Sequence, residues 1–267
     1  MNFFDAILLG IIQGLTEFLP VSSTAHLLIG QQLLGIPVSD ATFSFLVIVQ
    51  LGTLLALIAF FARDVWAILK AFFARPFSSP LNRLGWYIVI ATLPALIAGY
   101  LLKDAVEALF KTPLLEAAIR LLTAAALLTL AEWLSKTNRD LTSMSWLDAV
   151  FIGLFQVISV FPGASRSGTT ISAGVLRHFS RPAAARFAFL MSIPVLLAAG
   201  GYEMLDVLKM DALLSFLPVL AVGFLAAALV GWLAIRWLIA YLNKHSLYSF
   251  SAYCAVLGIA VLLVYFL

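Results

Sequence analysis

Six uninterrupted apolar runs, at roughly 43–61, 84–102, 114–134, 185–205, 213–237 and 248–266, limit what this chain can fold into more than any other feature. Each is close to the ~20 residues a helix needs to cross the hydrocarbon core. A transmembrane barrel would show alternating segments of about 10 residues instead. Hydrophobic residues make up 63% of the chain and charged residues 11%, against about 25% charged in an ordinary soluble domain. The expectation is an all-α polytopic membrane protein, one integral membrane domain over residues 1–267. The bilayer is its first partner, and nothing in the pattern points to nucleic acid.

Two further regions, 3–35 and 146–180, are apolar but broken near their middles, by "LPVSSTAH" and "FPGASRSGTT". Irregular backbone at membrane depth survives only buried in protein or lining a wet cavity. Both regions therefore read as re-entrant helical hairpins added to the six transmembrane helices. They also resemble each other. "GIIQGLTEFLPVSS" (10–23) runs beside "GLFQVISVFPGAS" (153–165), pairing Gln13 with Gln156 and Pro20 with Pro162, and "FSFL" (43–46) pairs with "FAFL" (187–190). This suggests two repeats, about 3–134 and about 146–267. Three spans separate the hairpins, and an odd number inverts the second repeat. In such inverted-topology repeats the binding site lies at the repeat interface near the midplane.

Cytoplasmic loops carry an excess of Lys and Arg. All sixteen lie on one side of this topology except Lys103, Lys111, Lys209 and, less clearly placed, Arg120. The basic side is expected to be cytoplasmic, with both termini and the mouth of the first hairpin on the outer face. Arg63, Asp64 and Lys70 are expected in a cytoplasmic loop. Asp104, Glu107, Glu203, Asp206 and Asp211 are expected at outer ends, with Glu116 and Glu132 near span ends and snorkelling. The single cysteine, Cys254, excludes a disulfide within the chain. No basic residue precedes Arg63, so no secretory signal peptide is expected.

The chemistry concentrates at the two breaks. Gln13 and Glu17 share one face of a helix that Pro20 ends. Ser22, Ser23 and Thr24 are natural N-caps for a second helix carrying His26 in its first turn. A helix N-terminus attracts anions, phosphate above all. A carboxylate beside such a cradle suggests acid–base chemistry or a divalent cation. In the second break Gly163 and Gly168 permit tight turns, Ser165, Ser167, Thr169 and Thr170 supply hydroxyls and caps, and Arg166 can grip phosphate oxygens two at a time. If the tips meet, Arg166 and two helix N-termini face Glu17, Ser23 and His26, a set suited to phosphoryl transfer.

"QGLTEFLPVSSTAHL" and "PGASRSGTTISAG" resemble the two signature regions of the bacterial undecaprenyl-pyrophosphate phosphatases of the bacitracin-resistance type, and the likeness extends over the whole chain. The resemblance implies a cell inner-membrane enzyme. It would hydrolyse undecaprenyl pyrophosphate to undecaprenyl phosphate and so recycle the lipid carrier of cell-wall peptidoglycan synthesis. It implies catalytic roles for Glu17, Ser23, His26 and Arg166. It also implies magnesium or calcium, with Glu17 and Gln13 as candidate ligands; Gln13 stands where the family has Glu or Gln. Gln13, Ser22, Thr24, Gly163, Ser165, Ser167, Gly168 and Thr169 would bind the pyrophosphate. Either Ser23 or His26 can be the nucleophile on this reading. The alternative from another class is a transporter or flippase for an anionic polyprenyl lipid, since broken helices in inverted repeats are typical of transporters.

Overall fold

The computed structural model describes residues 1–37, 39–74, 76–102, 112–160, 164–209 and 213–267, without the side chains of residues 40, 206 and 215. Gly163 and Pro162, and the charged residues Arg75, Lys103, Asp104, Glu107, Lys111 and Asp211, lie outside the described residues. In chain order the helices are α1 (Phe3–Phe18), α2 (Ser23–Leu34), α3 (Asp40–Phe60), α4 (Ala62–Phe72), α5 (Pro80–Leu101), α6 (Pro113–Leu134), α7 (Trp146–Ile158), α8 (Arg166–Leu176), α9 (Arg181–Val207), α10 (Leu213–Leu242) and α11 (Tyr248–Phe266). Six of them are long and apolar enough to cross a membrane: α3, α5, α6, α9, α10 and α11. They coincide with the six apolar runs, and the protein is a polytopic helical membrane protein.

The other two pairs, α1–α2 and α7–α8, are shorter helices joined at the two breaks. Their local chemistry matches position by position. An Asn2/Asp5 capping box opens α1 and a Ser145/Asp148 capping box opens α7. Ser22 caps α2 and Ser165 caps α8, each accepting from the backbone N–H three residues on. Gly10 and Gly153 occupy equivalent positions. A Cβ at Gly10 would stand 2.6 Å from the Gly223 carbonyl oxygen of α10, and one at Gly153 would stand 2.6 Å from the Ala91 carbonyl oxygen of α5. Each glycine thus lets the first helix of a pair lie directly on the second long helix of the other half of the chain. Small residues allow such approach where lipid supplies no hydrophobic drive between helices.

Two charge expectations are corrected. Residues 62–72 form helix α4 rather than a loop. Ile68 is buried while Trp66, Leu69 and Phe73 are exposed. An amphipathic pattern of this kind suits the membrane–water interface. Arg186 of α9 reaches Asp64 at 2.7 Å, and Asn82 donates to the carbonyls of Ala71 and Phe72, which fixes the turn into α5. Glu116 and Glu132 do not snorkel. Glu132 is buried and accepts two hydrogen bonds from Arg181, at 2.6 and 2.7 Å, and one from the Leu247 N–H at 2.8 Å. Glu116 is paired at 2.8 Å with Arg120, which is itself buried. An ionised side chain in hydrocarbon needs a partner, and here a neighbouring helix or turn supplies it more cheaply than a long reach to water.

At the base of α7, Asp148 is fully buried and clamped by Arg139 at 2.8 Å and Arg177 at 2.6 Å. Burial pushes its carboxyl pKa up. The two guanidiniums, with the N–H and hydroxyl of Ser145, outweigh that and hold it well below the usual carboxylate range. Because the folded pKa is depressed, the clamp's contribution is present above the unfolded value of about 4 and is lost only as pH falls toward the lower folded one. Asp148→Asn is expected to destabilise by about 2 kcal/mol, the worth of hydrogen bonds to a charged group, measured as a lower melting temperature in detergent at neutral pH.

Candidate active site

The two breaks meet. Ser167 of α8 donates to the Leu19 carbonyl oxygen at 2.9 Å, and Arg166 forms an ion pair with Glu17 through Nη2 and Oε1. Helices α1 and α8, far apart in sequence, thereby share one polar contact inside the bundle. The capping residues explain the placement. Helix α1 ends at Phe18, two residues before Pro20, and the chain turns back through Ser22, whose φ of 69° lies in the left-handed region. Such a backbone costs on the order of 1–3 kcal/mol in a non-glycine residue and persists where the surroundings over-determine it. Here the Ser22 hydroxyl caps Ala25 and the Ser22 carbonyl accepts from His26.

Glu17 is the hub. Its Oε2 accepts the Ser23 hydroxyl at 2.6 Å and the Gln13 amide at 3.0 Å, while Oε1 takes Arg166. Gln13 also donates to Thr53 of α3, at 3.4 Å. Glu17 is 6% exposed, so these contacts replace water rather than supplement it. A hydrogen bond as short as 2.6 Å between a hydroxyl and a carboxylate is charge-assisted and strong. It places the Ser23 proton on the path to Glu17.

His26 is not part of that chain. Its Nδ1 lies 2.8 Å from the Ser22 carbonyl oxygen and its Nε2 lies 2.8 Å from the Tyr253 hydroxyl of α11, with the two rings stacked at 5.7 Å. A carbonyl can only accept, so Nδ1 carries a hydrogen, and in the neutral ring the Nε2 lone pair accepts from Tyr253. The sequence leaves His26 free to serve as the base for Ser23; here the Ser23 hydroxyl bonds to Glu17 and not to His26.

Arg166 leaves a donor in reserve. Its Nη1 is buried with no hydrogen-bond partner. A buried guanidinium nitrogen without an acceptor is costly. The cavity at this point is bounded by Glu17, Phe18, Arg166, Ser167, Thr170, Ala188, Phe189 and Ser192 and holds about 10 Å³, room for no more than about one water. A pyrophosphate would need more space than this, and with it the parting of Arg166 from Glu17. A larger cleft of about 750 Å³, lined by charges of both signs including Asp64, Asp140, Arg181 and Arg186, lies elsewhere. Phe61, at its wall, contacts Phe189, and Phe189 contacts Phe18 of the small cavity. The cleft holds none of the expected site residues, whereas the small cavity is bordered by Glu17, Arg166 and Ser167.

The remaining expected residues divide in two. Ser165 caps α8 through the Gly168 N–H at 3.2 Å and lies 3.3 Å from the Ser167 hydroxyl. Thr169 and Thr170 bond back to carbonyls of their own first turn. These hydroxyls hold the helix start in shape, and Thr170 also borders the cavity. Thr24 is exposed beside the first break. Among the described residues no cluster of three or more His, Cys, Asp or Glu could hold a metal on its own. Thr53, Ser192 and Tyr253 join the site without any motif to mark them; only their polarity within apolar runs is visible in the sequence.

With this geometry in place, comparison with known proteins is specific. The family model "Bacitracin resistance protein BacA" matches residues 6–260. A protein named undecaprenyl-diphosphatase from Chlorobium phaeobacteroides (strain BS1) is 42% identical over 98% of this chain and 96% of its own length. Proteins with the same name from Anaeromyxobacter sp. (strain K) and Methanobrevibacter smithii are 42% and 38% identical, again over 98% of this chain, and over 91% and 97% of their own lengths.

Proposed function

The chain belongs to the bacitracin resistance protein BacA family, and on that premise we propose that the Glu17–Ser23–Arg166 cluster hydrolyses undecaprenyl pyrophosphate to undecaprenyl phosphate and inorganic phosphate. The activity follows from the family and its undecaprenyl-diphosphatase relatives, and the geometry around Glu17 supports the roles. The observation that carries it is the unpartnered, buried Nη1 of Arg166 beside a carboxylate that accepts the Ser23 hydroxyl.

The polyprenyl chain stays in lipid while the pyrophosphate enters the polar contact between the hairpins. Its oxygens take the free donors of Arg166 and the first-turn N–H groups of α2 and α8, which helix geometry leaves without intrahelical acceptors. Arg166 leaves Glu17 for the phosphate, which restores Glu17 as a base. Ser23 Oγ attacks the terminal phosphorus, its proton passes to Glu17, and the bridging P–O bond breaks to release undecaprenyl phosphate. Water then cleaves the serine phosphate ester, returning the proton to Ser23 and releasing inorganic phosphate. In the direct variant Ser23 and Glu17 activate that water in a single step. Gln13 steadies Glu17 in both, and His26, held by the Ser22 carbonyl and the Tyr253 hydroxyl, ties the start of α2 to α11 beside the site.

A divalent cation, magnesium or calcium, fits as a companion of the pyrophosphate. Among the described residues Glu17 is the one carboxylate that borders the small cavity, and cations of this kind are commonly held by one or two carboxylates plus substrate phosphates. When bound, it would neutralise charge developing on the phosphate oxygens. Gln13 presents its N–H₂ to Glu17, so the metal role belongs to Glu17 in preference. A chelator should reduce phosphate release by at least about tenfold, and magnesium or calcium should restore it; full activity after exhaustive chelation would remove the cation from the reading.

Arg166→Lys tests the phosphate grip. A point charge cannot grip two phosphate oxygens side by side as a guanidinium does, so turnover should fall at least about tenfold, about 1.4 kcal/mol of barrier. Wild-type turnover in a correctly inserted variant would sink the assignment.

The paired hairpins, too short to cross, support the re-entrant, inverted-repeat reading, as do the matched caps at Ser22 and Ser165. The basic bias supports a cytoplasmic α4, outward termini and an outward mouth. Single cysteines at Gln32 and at Ser78, in a Cys254→Ser background, test this with a membrane-impermeant thiol reagent on intact cells. Labelling at residue 32 and not at 78 is expected; the reverse would overturn the orientation.

A further inference from the structure

Arg120 lies a third of the way along α6, 6% exposed, the one arginine that is buried among the described residues. Neither break contains it, and the mechanism above does not use it. Burying a guanidinium among membrane helices is expensive, and its Glu116 partner repays only part of that cost. What Arg120 adds beyond the pair is a hydrogen bond across helices: Nη1 donates to the Ala164 carbonyl oxygen at 3.1 Å. Ala164 is 3% exposed and stands in the irregular segment directly before Ser165 and Arg166. A carbonyl there has no helical partner and no access to bulk water, so a side chain must satisfy it.

One turn further along α6, Ala124 packs on the same helix start; a Cβ at Gly168 would lie 3.7 Å from the Ala124 Cβ. Helix α6 therefore fixes the N-terminus of α8 at two points, by a charged hydrogen bond just before the cap and by contact just after it. Arg166 lies midway between those points. Helix α6 also packs against α2, which carries Ser23 and His26. It is the platform on which the two halves of the site are set against each other.

We infer that Arg120 is a positioning residue, holding the Ala164 carbonyl so that Arg166 emerges at the height of Glu17 and of the substrate phosphate. The inference rests on the proposed role of Arg166.

The test compares four proteins in detergent, with Arg120→Lys in the wild-type and Arg166→Lys backgrounds as conservative controls, measuring kcat, KM and melting temperature for phosphate release from undecaprenyl pyrophosphate. They are the wild type, Arg166→Lys, the double variant Glu116→Met with Arg120→Met, and the three changes combined. Replacing a buried ion pair by apolar residues of similar size is often neutral for stability, so the double variant should fold with a near-native melting temperature. Its kcat should nonetheless fall about tenfold, and the same change should cost less than about threefold once Arg166 is already lysine, because coupled residues are not additive. Arg120→Lys, which keeps a donor for Ala164 and a cation for Glu116 but not the planar guanidinium, should lose less, about twofold to fivefold. Wild-type turnover in the double variant, or the same fall in both backgrounds, would overturn the inference. If the double variant does not insert, Arg120→Lys decides alone: a loss of about twofold to fivefold that vanishes in the Arg166→Lys background supports the inference, and equal loss in both backgrounds, or none, contradicts it. A wild type that releases no phosphate would instead be a failure of the proposed function.

Discussion

Ser23→Ala is expected to lower turnover by about 10³-fold, in the range found when a reacting group or its proton transfer is lost. Ser22→Ala and Thr24→Ala are expected to do far less, although all three hydroxyls stand within one turn. The reason is geometric. Ser23 alone of the three gives its proton to Glu17, at 2.6 Å. Ser22 caps the helix through the Ala25 N–H, a role worth about 0.5–2 kcal/mol of stability, and Thr24 is exposed. Kinetics and melting temperature should therefore separate cleanly, with Ser23→Ala stable and inactive and Ser22→Ala less stable and active. Equal, mild losses at all three positions would mean that Ser23 is another cap.

Glu17→Gln should be as damaging, about 10²–10⁴-fold, and for two reasons that one substitution removes together. The amide can still accept the Ser23 hydroxyl but cannot take its proton. It also leaves Arg166 without its counter-ion, and removing one partner of a buried pair strands the other charge. A marked fall in kcat with tight substrate binding retained would fit both effects, since Arg166 freed from Glu17 still meets the phosphate. Full turnover in Glu17→Gln would contradict the assignment of Glu17 as base, and His26 would then have to be reconsidered.

Much of this was legible before the structure. The six spans follow from run length alone, and their ends agree within a few residues. The breaks were marked by Pro20 and by the Ser clusters, because proline and N-cap chemistry act locally and need no tertiary knowledge. The convergence of Glu17 and Arg166 followed from duplication. What the sequence hid depends on three-dimensional pairing. Glu132 and Arg181 are far apart in the chain, so an isolated glutamate near a span end looked like a snorkelling one. Helix α4 was missed because its apolar face is short and interleaved with Arg63, Asp64 and Lys70. The partner of His26 was out of reach, since Tyr253 lies on the last helix and no local rule links the two. Arg120 was visible as a charge in an apolar run, yet only its contact with Ala164 gives that charge a purpose.

The most direct measurement is phosphate release by the purified protein in detergent, supplied with undecaprenyl pyrophosphate and magnesium or calcium. In detergent there is no second compartment, so transport alone yields no product. The account predicts catalytic release of one inorganic phosphate per substrate, with undecaprenyl phosphate as co-product and the signal lost in Ser23→Ala. Saturable binding of undecaprenyl pyrophosphate without release would contradict it and would turn the same cluster into the recognition site of a polyprenyl-lipid transporter.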